Sequence, residues 1–76
     1  MARPKTKDPI LRRFGETVRQ YRQQRGLSQE ALAQQADLHP GFIGMLERAE
    51  RNPTLQTIAA LGQALDVPPW KLIRRL

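Results

Sequence analysis

Two short helical patterns separated by a tight turn occupy residues 28–48, SQEALAQQADLHPGFIGMLER. Ser28 is a typical N-terminal cap, because its hydroxyl accepts a hydrogen bond from a free amide of the first turn. The helix that it begins is predicted over residues 29–36, with Leu32, Ala33 and Ala36 on its inward side. This spacing constrains the fold more than any other feature, since it lets a second helix project from a small scaffold.

The turn and the second helix follow directly. Asp37 lies where a positive φ is expected, which Asp tolerates better than most residues. His39 is predicted to cap the second helix, with Pro40 at the first helical position. That helix is expected to bury Ile43 and Leu46 and to end near residue 48 or 49.

A longer helical pattern precedes this pair. Asp8 followed by Pro9 is a strong start signal, because a carboxylate accepts free amide hydrogens and proline loses no needed donor at the first helical position. The helix is predicted to run from Pro9 to about Arg25, where Gly26 can adopt the left-handed conformation that ends it. Its apolar side, at helical spacing, comprises Ile10, Phe14, Val18 and Tyr21.

Two more helices are predicted toward the end of the chain. Thr54 caps the fourth helix, and Pro68 and Pro69 separate it from a short fifth helix over residues 70–76. The apolar stripe of the fourth helix comprises Leu55, Ile58, Leu61 and Leu65. One side of the fifth helix carries Trp70, Ile73 and Leu76, and the other side carries Lys71, Arg74 and Arg75.

These patterns predict an all-α domain of five helices over residues 8–76, preceded by a flexible basic arm, residues 1–7. The arm cannot bury enough apolar surface to offset the entropy of ordering it. A chain of 76 residues supports one modest core, so dimerisation would be a way to bury more surface.

Composition excludes several classes of protein. There is no cysteine and only one histidine, so neither a disulfide framework nor a metal site is expected, and no cofactor is predicted. No carboxylate pair, activated nucleophile or glycine-rich phosphate loop stands at usable spacing, which argues against an enzyme. No apolar run is long enough to span a membrane and the first residues lack the apolar centre of a signal peptide, so a cytoplasmic location is expected.

The formal net charge is +6, from thirteen Lys and Arg against seven Asp and Glu. Such a balance favours a polyanionic partner, either nucleic acid or an anionic membrane surface, and charge alone does not distinguish them.

The segments RQYRQQRGLSQEALAQQADL and FIGMLERAERNPTLQTIAALGQALDV stand in one ordered register and resemble the lambda-repressor-like (XRE/Cro-type) helix-turn-helix family. The resemblance covers about residues 10–73. It implies five helices, with the second and third as a DNA-binding pair, and a homodimeric transcription regulator on a roughly palindromic operator. Controller proteins of restriction-modification systems are similar in length and layout, so they are a candidate subclass.

The resemblance also implies contact residues. Ser28 and Gln29, at the start of the second helix, match a phosphate contact, and Arg48, Arg51 and Asn52 would reach phosphates from the end of the third helix and the following loop. His39 would be a cap and a neighbour of a phosphate. The positions that read bases in relatives fall on Pro40, Gly41, Phe42, Gly44 and Met45.

None of these base-reading side chains can donate a hydrogen bond to guanine. Phe42 and Met45 are left with either apolar contact to thymine methyl groups or packing in the core. We therefore hypothesise that DNA shape supplies much of the specificity, with Arg3 and Lys5 of the arm entering a narrow minor groove.

Other implied roles are structural. Arg22 and Glu47 match an internal ion pair between the first and third helices, and Ala49 stands where relatives often have glycine, which suggests a positive φ. Trp70, Ile73 and Leu76 either cover the core or form a dimer interface. The alternative function is that of an antitoxin or adaptor whose main partner is another protein.

Overall fold

The computed structural model describes residues 8–76, and this range is all-helical, as predicted. Arg3 and Lys5, with the rest of the predicted arm, lie outside the described residues. The elements are α1 Pro9–Gln24, α2 Gln29–Ala36, α3 Phe42–Glu47, α4 Leu55–Leu65 and α5 Trp70–Ile73. None of these helices is long and apolar enough to cross a membrane.

Three helices begin at the polar caps that the sequence predicts. The Asp8 carboxylate accepts the Ile10 N–H at 2.8 Å at the start of α1. The Ser28 hydroxyl oxygen accepts the Ala31 N–H at 3.0 Å, and Thr54 plays the same part for α4. Each cap satisfies an amide that has no partner within the helix, so the start points are fixed by local chemistry.

The first four helices end in one way, with a residue in the left-handed conformation and two hydrogen bonds that close the last turn. In α3 the Glu50 N–H donates to the Met45 carbonyl at 2.9 Å and the Ala49 N–H donates to the Leu46 carbonyl at 3.0 Å. The left-handed residues are Gly26 (φ 67°), Asp37 (57°), Ala49 (63°) and Asp66 (58°). The expectations for Gly26, Asp37 and Ala49 are confirmed; the conformation of Asp66 was not foreseen.

Every helix contributes to a single core. α1 crosses α3, α2 packs against α3 and α4, and α5 closes the core against α1. The core side chains are Phe14, Val18, Leu32, Ala33, Ala36, Ile43, Leu46, Leu61, Leu65 and Leu72. The α2–α3 pair is thereby held on a scaffold of the other three helices.

The predicted start of α3 is wrong. The Phe42 N–H donates to the His39 carbonyl at 2.9 Å, which closes a turn, and the regular helix begins at Phe42 and not at Pro40. The His39 ring accepts the Gly41 N–H at Nδ1, 3.3 Å away, so His39 caps the turn and not the helix.

Two predicted core positions are also wrong. Ile10 is half exposed and Leu55 is 81% exposed. Both lie in the first turn of their helices, which extends beyond the packed surface. An apolar stripe predicted from spacing alone does not reveal where the neighbouring helix stops.

The fifth helix differs most from its prediction. It is a single turn, Trp70–Ile73, and Leu72 is its buried residue. Trp70, Ile73 and Leu76 are 54%, 40% and 45% exposed, so the interpretation in which they cover the core is wrong. In so short a segment the apolar spacing does not define the inward side, which here is set by packing against α1.

The crossing of α1 and α3 yields a prediction about Gly15. A β-carbon at this position would lie 2.5 Å from the Leu46 carbonyl oxygen and 2.8 Å from that of Glu47, and both are backbone atoms. Gly15→Ala should destabilise the fold by about 1–3 kcal/mol although alanine favours helices. Thermal unfolding should show a clear fall in Tm, whereas Glu16→Ala, at the exposed neighbour, should change Tm little. An unchanged or higher Tm for Gly15→Ala would contradict the close crossing.

Candidate nucleic-acid interface

A buried carboxylate connects the first three helices. Arg22 on α1 donates from Nε to Glu47 Oε2 at 2.6 Å and from Nη2 to Oε1 at 3.1 Å. The Arg22 Nη1 group also donates to the Leu27 carbonyl at 2.8 Å. The side chains of Arg22 and Glu47 are 12% and 3% exposed. This is the ion pair that the resemblance implies, and its hydrogen bonds raise the pKa of Arg22 against the opposing effect of burial.

Gln29 belongs to the same network. Its Nε2 donates to Glu47 Oε1 at 3.0 Å, so one carboxylate holds side chains of α1 and α2 against α3. A β-carbon at Gly44 would lie 3.2 Å from Gln29 Oε1 and 3.0 Å from Arg48 Nη1. Gly44 is buried, and the ends of these two polar side chains lie over it.

The remaining base-reading candidates divide by exposure. Pro40 and Gly41 are exposed on the turn before α3, and so is His39, the predicted phosphate neighbour. Phe42 is half-buried and packs against the core, and Met45 is half-buried as well. The structure thus places Phe42 between its two alternatives, with one part of the ring on the core and the rest at the surface.

The phosphate candidates after α3 lie at the surface. Arg48 is exposed and pairs with Glu50, with Nε–Oε2 at 3.1 Å and Nη2–Oε1 at 3.2 Å. The hydrogen bond with Glu50 raises the pKa of Arg48. Arg51 and Asn52 are exposed in the loop that leads to α4. Glu50 was missed in the sequence, where its position two residues after Arg48 was the available signal.

Sequence reasoning also missed two cations on α1, Arg12 and Arg19. A surface cavity of about 290 Å³ lies beside the end of α3. It is lined by Arg12, Glu16, Arg19, Glu47, Arg48 and Ala49. Arg12, Glu16 and Arg19 follow each other at helical spacing, and this spacing was the available signal that they share one face of α1.

Comparison with known proteins gives one consistent result. Residues 18–69 match the helix-turn-helix family HTH_3. Control protein C.SmaI from Serratia marcescens is 48% identical over 62 residues, which are 82% of this chain and 74% of that protein.

Two solved structures have the same fold. The restriction-modification controller protein C.AhdI from Aeromonas hydrophila has a TM-score of 0.80 and 42% identity, covering 82% of this chain and 94% of its own. SinR, a master regulator for biofilm formation solved in complex with DNA, has a TM-score of 0.74 and 30% identity, covering 78% of this chain and 95% of its own.

The Arg22–Glu47 geometry makes a prediction about stability. Arg22→Ala or Glu47→Ala each strands a charge among buried groups and should cost about 3 kcal/mol in the free energy of unfolding. The double variant should cost about 1–3 kcal/mol less than the sum of the two. Urea denaturation of the four proteins measures this coupling.

The control is the exposed pair Arg25–Asp66, whose charged atoms are 3.4 Å apart. The same cycle on that pair should give a coupling close to zero, because solvent screens it. Additive effects at Arg22 and Glu47 would show that the carboxylate does not connect the helices energetically.

Proposed function

The chain belongs to this helix-turn-helix family, and we propose on that basis that it regulates transcription as a homodimer that binds a specific double-stranded DNA sequence with α3 in the major groove. The observation that carries the proposal is the Glu47 network. This network holds the first residue of α2 against α3, so that both helices lie on one surface. Such an arrangement lets a recognition helix enter the major groove while the other helix crosses the DNA backbone. Binding, and not catalysis, is the role that family membership supports.

The proposed phosphate contacts flank α3 on both sides. The first turn of α2, beginning at Ser28, presents free backbone N–H groups, and the helix dipole favours an anion there. Gln29 would contribute the second N–H of its amide, since the first is bonded to Glu47. Arg48, Arg51 and Asn52 would bind the backbone across the groove, with Arg48 exchanging part of its contact with Glu50 for a phosphate.

Base readout would be mostly apolar on α3 itself. Met45 and the exposed part of Phe42 would contact thymine methyl groups, and Gly41, which has no side chain, would allow the backbone to approach the bases closely. The proposal keeps shape readout by Arg3 and Lys5 as its other source of specificity.

The proposed dimer uses the exposed apolar residues of α5 and Leu76, which follows that helix. Trp70, Ile73 and Leu76 leave the core to Leu72 and form an apolar surface that a second copy would cover. Two copies would place their α3 helices on half-sites about 34 Å apart, which implies a roughly palindromic operator. The chain is similar to two controller proteins. The first hypothesis is therefore that it regulates genes of a restriction-modification system.

Selection of sites from random duplexes tests the function. We expect a roughly palindromic sequence to be enriched, with an affinity that falls steeply as salt rises. Arg51→Ala should weaken binding by a similar factor for all sequences and lower the salt slope by about 1. A form that lacks residues 2–7 should lose affinity and sequence preference together.

The matched control is Arg13→Ala, which removes the same charge from an exposed site outside the proposed phosphate contacts. Arg13 lines a different cavity, together with Arg75, two residues after α5. The substitution should leave the salt slope unchanged. If no duplex is enriched and none binds at low ionic strength, the proposal is wrong, and the antitoxin or adaptor function replaces it.

The dimer makes a separate prediction. Trp70→Ala combined with Ile73→Ser should weaken self-association by at least about 30-fold, because a central aromatic residue commonly contributes 2 kcal/mol or more. Sedimentation measures the shift to monomer, and circular dichroism should show an intact fold since both side chains are exposed. Leu55→Ser is the control, because Leu55 is apolar and exposed but lies outside α5. Equal weakening by the control, or a wild-type chain that is monomeric throughout, would contradict the interface.

A further inference from the structure

A polar groove lies between α1 and the C-terminal segment, residues 70–76. It encloses about 220 Å³. Its lining consists of Thr17, Gln20, Tyr21 and Gln24 on α1, and Lys71, Arg74 and Arg75 after Trp70. The Thr17 hydroxyl is buried and donates to the Arg13 carbonyl at 2.9 Å, so it forms the floor of the groove.

The side chains that line this groove carry a net positive charge. Three of the lining side chains are cations and none is an acid. Within residues 8–76, none of Lys71, Arg74 and Arg75 forms an ion pair. Arg13 and Glu16 extend the site through an adjoining cavity of about 190 Å³ that also includes Arg75. Clustered like charges repel each other, so an anion in the groove would relieve this repulsion.

The groove faces away from the proposed DNA surface. α1 presents Gly15 and Arg22 to α3, whereas Thr17 and Tyr21 face the C-terminal segment. A duplex held against α3 therefore does not cover the groove. The inference does not depend on DNA binding.

The chemistry of the lining favours a chain that carries several carboxylates over a single small ion. Arg74 and Arg75 are exposed, and an exposed ion pair contributes little on its own. Several weak pairs held on one segment act together, because the later contacts form within a single complex. Gln20 and Gln24 would add amide donors to backbone carbonyls, and guanidinium groups bind carboxylates in bidentate geometry.

Trp70 borders the same site. Lys71 Nζ lies 5.9 Å and the Arg74 guanidinium carbon 5.8 Å from its ring centroid. The ring thus holds two of the groove cations next to an apolar surface. We propose that this groove binds an acidic segment of a protein partner, and that the chain can hold such a partner while α3 is occupied.

The test uses the full chain and a fluorescein-labelled octapeptide of alternating Asp and Glu as the probe. Fluorescence anisotropy should show that Arg74→Glu with Arg75→Glu weakens binding by at least about tenfold. The control is Arg12→Glu with Arg19→Glu, which changes the net charge equally on the α3 side of α1. It should alter peptide affinity much less, and circular dichroism checks that both variants are folded.

NMR then locates the site. The peptide should shift the side-chain amide signals of Gln20 and Gln24 and leave that of Gln29 in place. Equal loss in the two charge-reversal variants, or shifts centred on Gln29, would overturn the proposal. It would also be overturned if inorganic phosphate at the same concentration displaces the peptide, which indicates a small-anion site, or if a DNA duplex shifts the Gln20 and Gln24 signals, which assigns the groove to nucleic acid.

Discussion

The carboxylate of Glu47 is the interaction on which the arrangement of the helices depends. It is almost fully buried and is bound by Arg22 of α1 and Gln29 of α2. A buried charge is costly unless its lone pairs are satisfied, so only a packing that brings both partners to Glu47 is tolerated. We therefore expect the ion pair to contribute more to the uniqueness of the α1–α2–α3 arrangement than to its net stability. The positions of the side chains around α3 depend on how Glu47 holds α1 and α2.

The starts of α1, α2 and α4 and the ends of α1 and α2 could be predicted because the residues that set them are close in sequence. Asp8, Ser28 and Thr54 bond to amides two or three residues later, and Gly26 and Asp37 end helices through bonds within the last turn. The family resemblance added what such local chemistry does not contain, above all the Arg22–Glu47 pair, whose partners are 25 residues apart. Family membership and the all-helical fold are confirmed.

The errors in the predicted core arose where the deciding neighbour was distant in the chain. Leu55 fits the apolar stripe of α4, but its turn extends past the neighbouring helix and leaves it exposed. After Pro69 the apolar spacing predicted that Trp70 would face inward, whereas packing against α1 buries Leu72 instead. The steric need for Gly15 exists only because the backbone of α3 crosses it. Periodicity describes one helix, and these outcomes depend on two.

The same principle bears on how α3 would read DNA. The residues of α3 itself offer almost no polar groups to the bases, which favours recognition of DNA shape. The structure adds polar atoms from neighbouring segments, because Gln29 Oε1 and Arg48 Nη1 both lie over Gly44. These are the amide and the guanidinium proposed to bind phosphates, so the polar contacts to the DNA backbone would come from residues that border α3 and not from α3 itself. Recognition would then combine polar contacts to phosphates from these neighbours with apolar contacts to bases from α3.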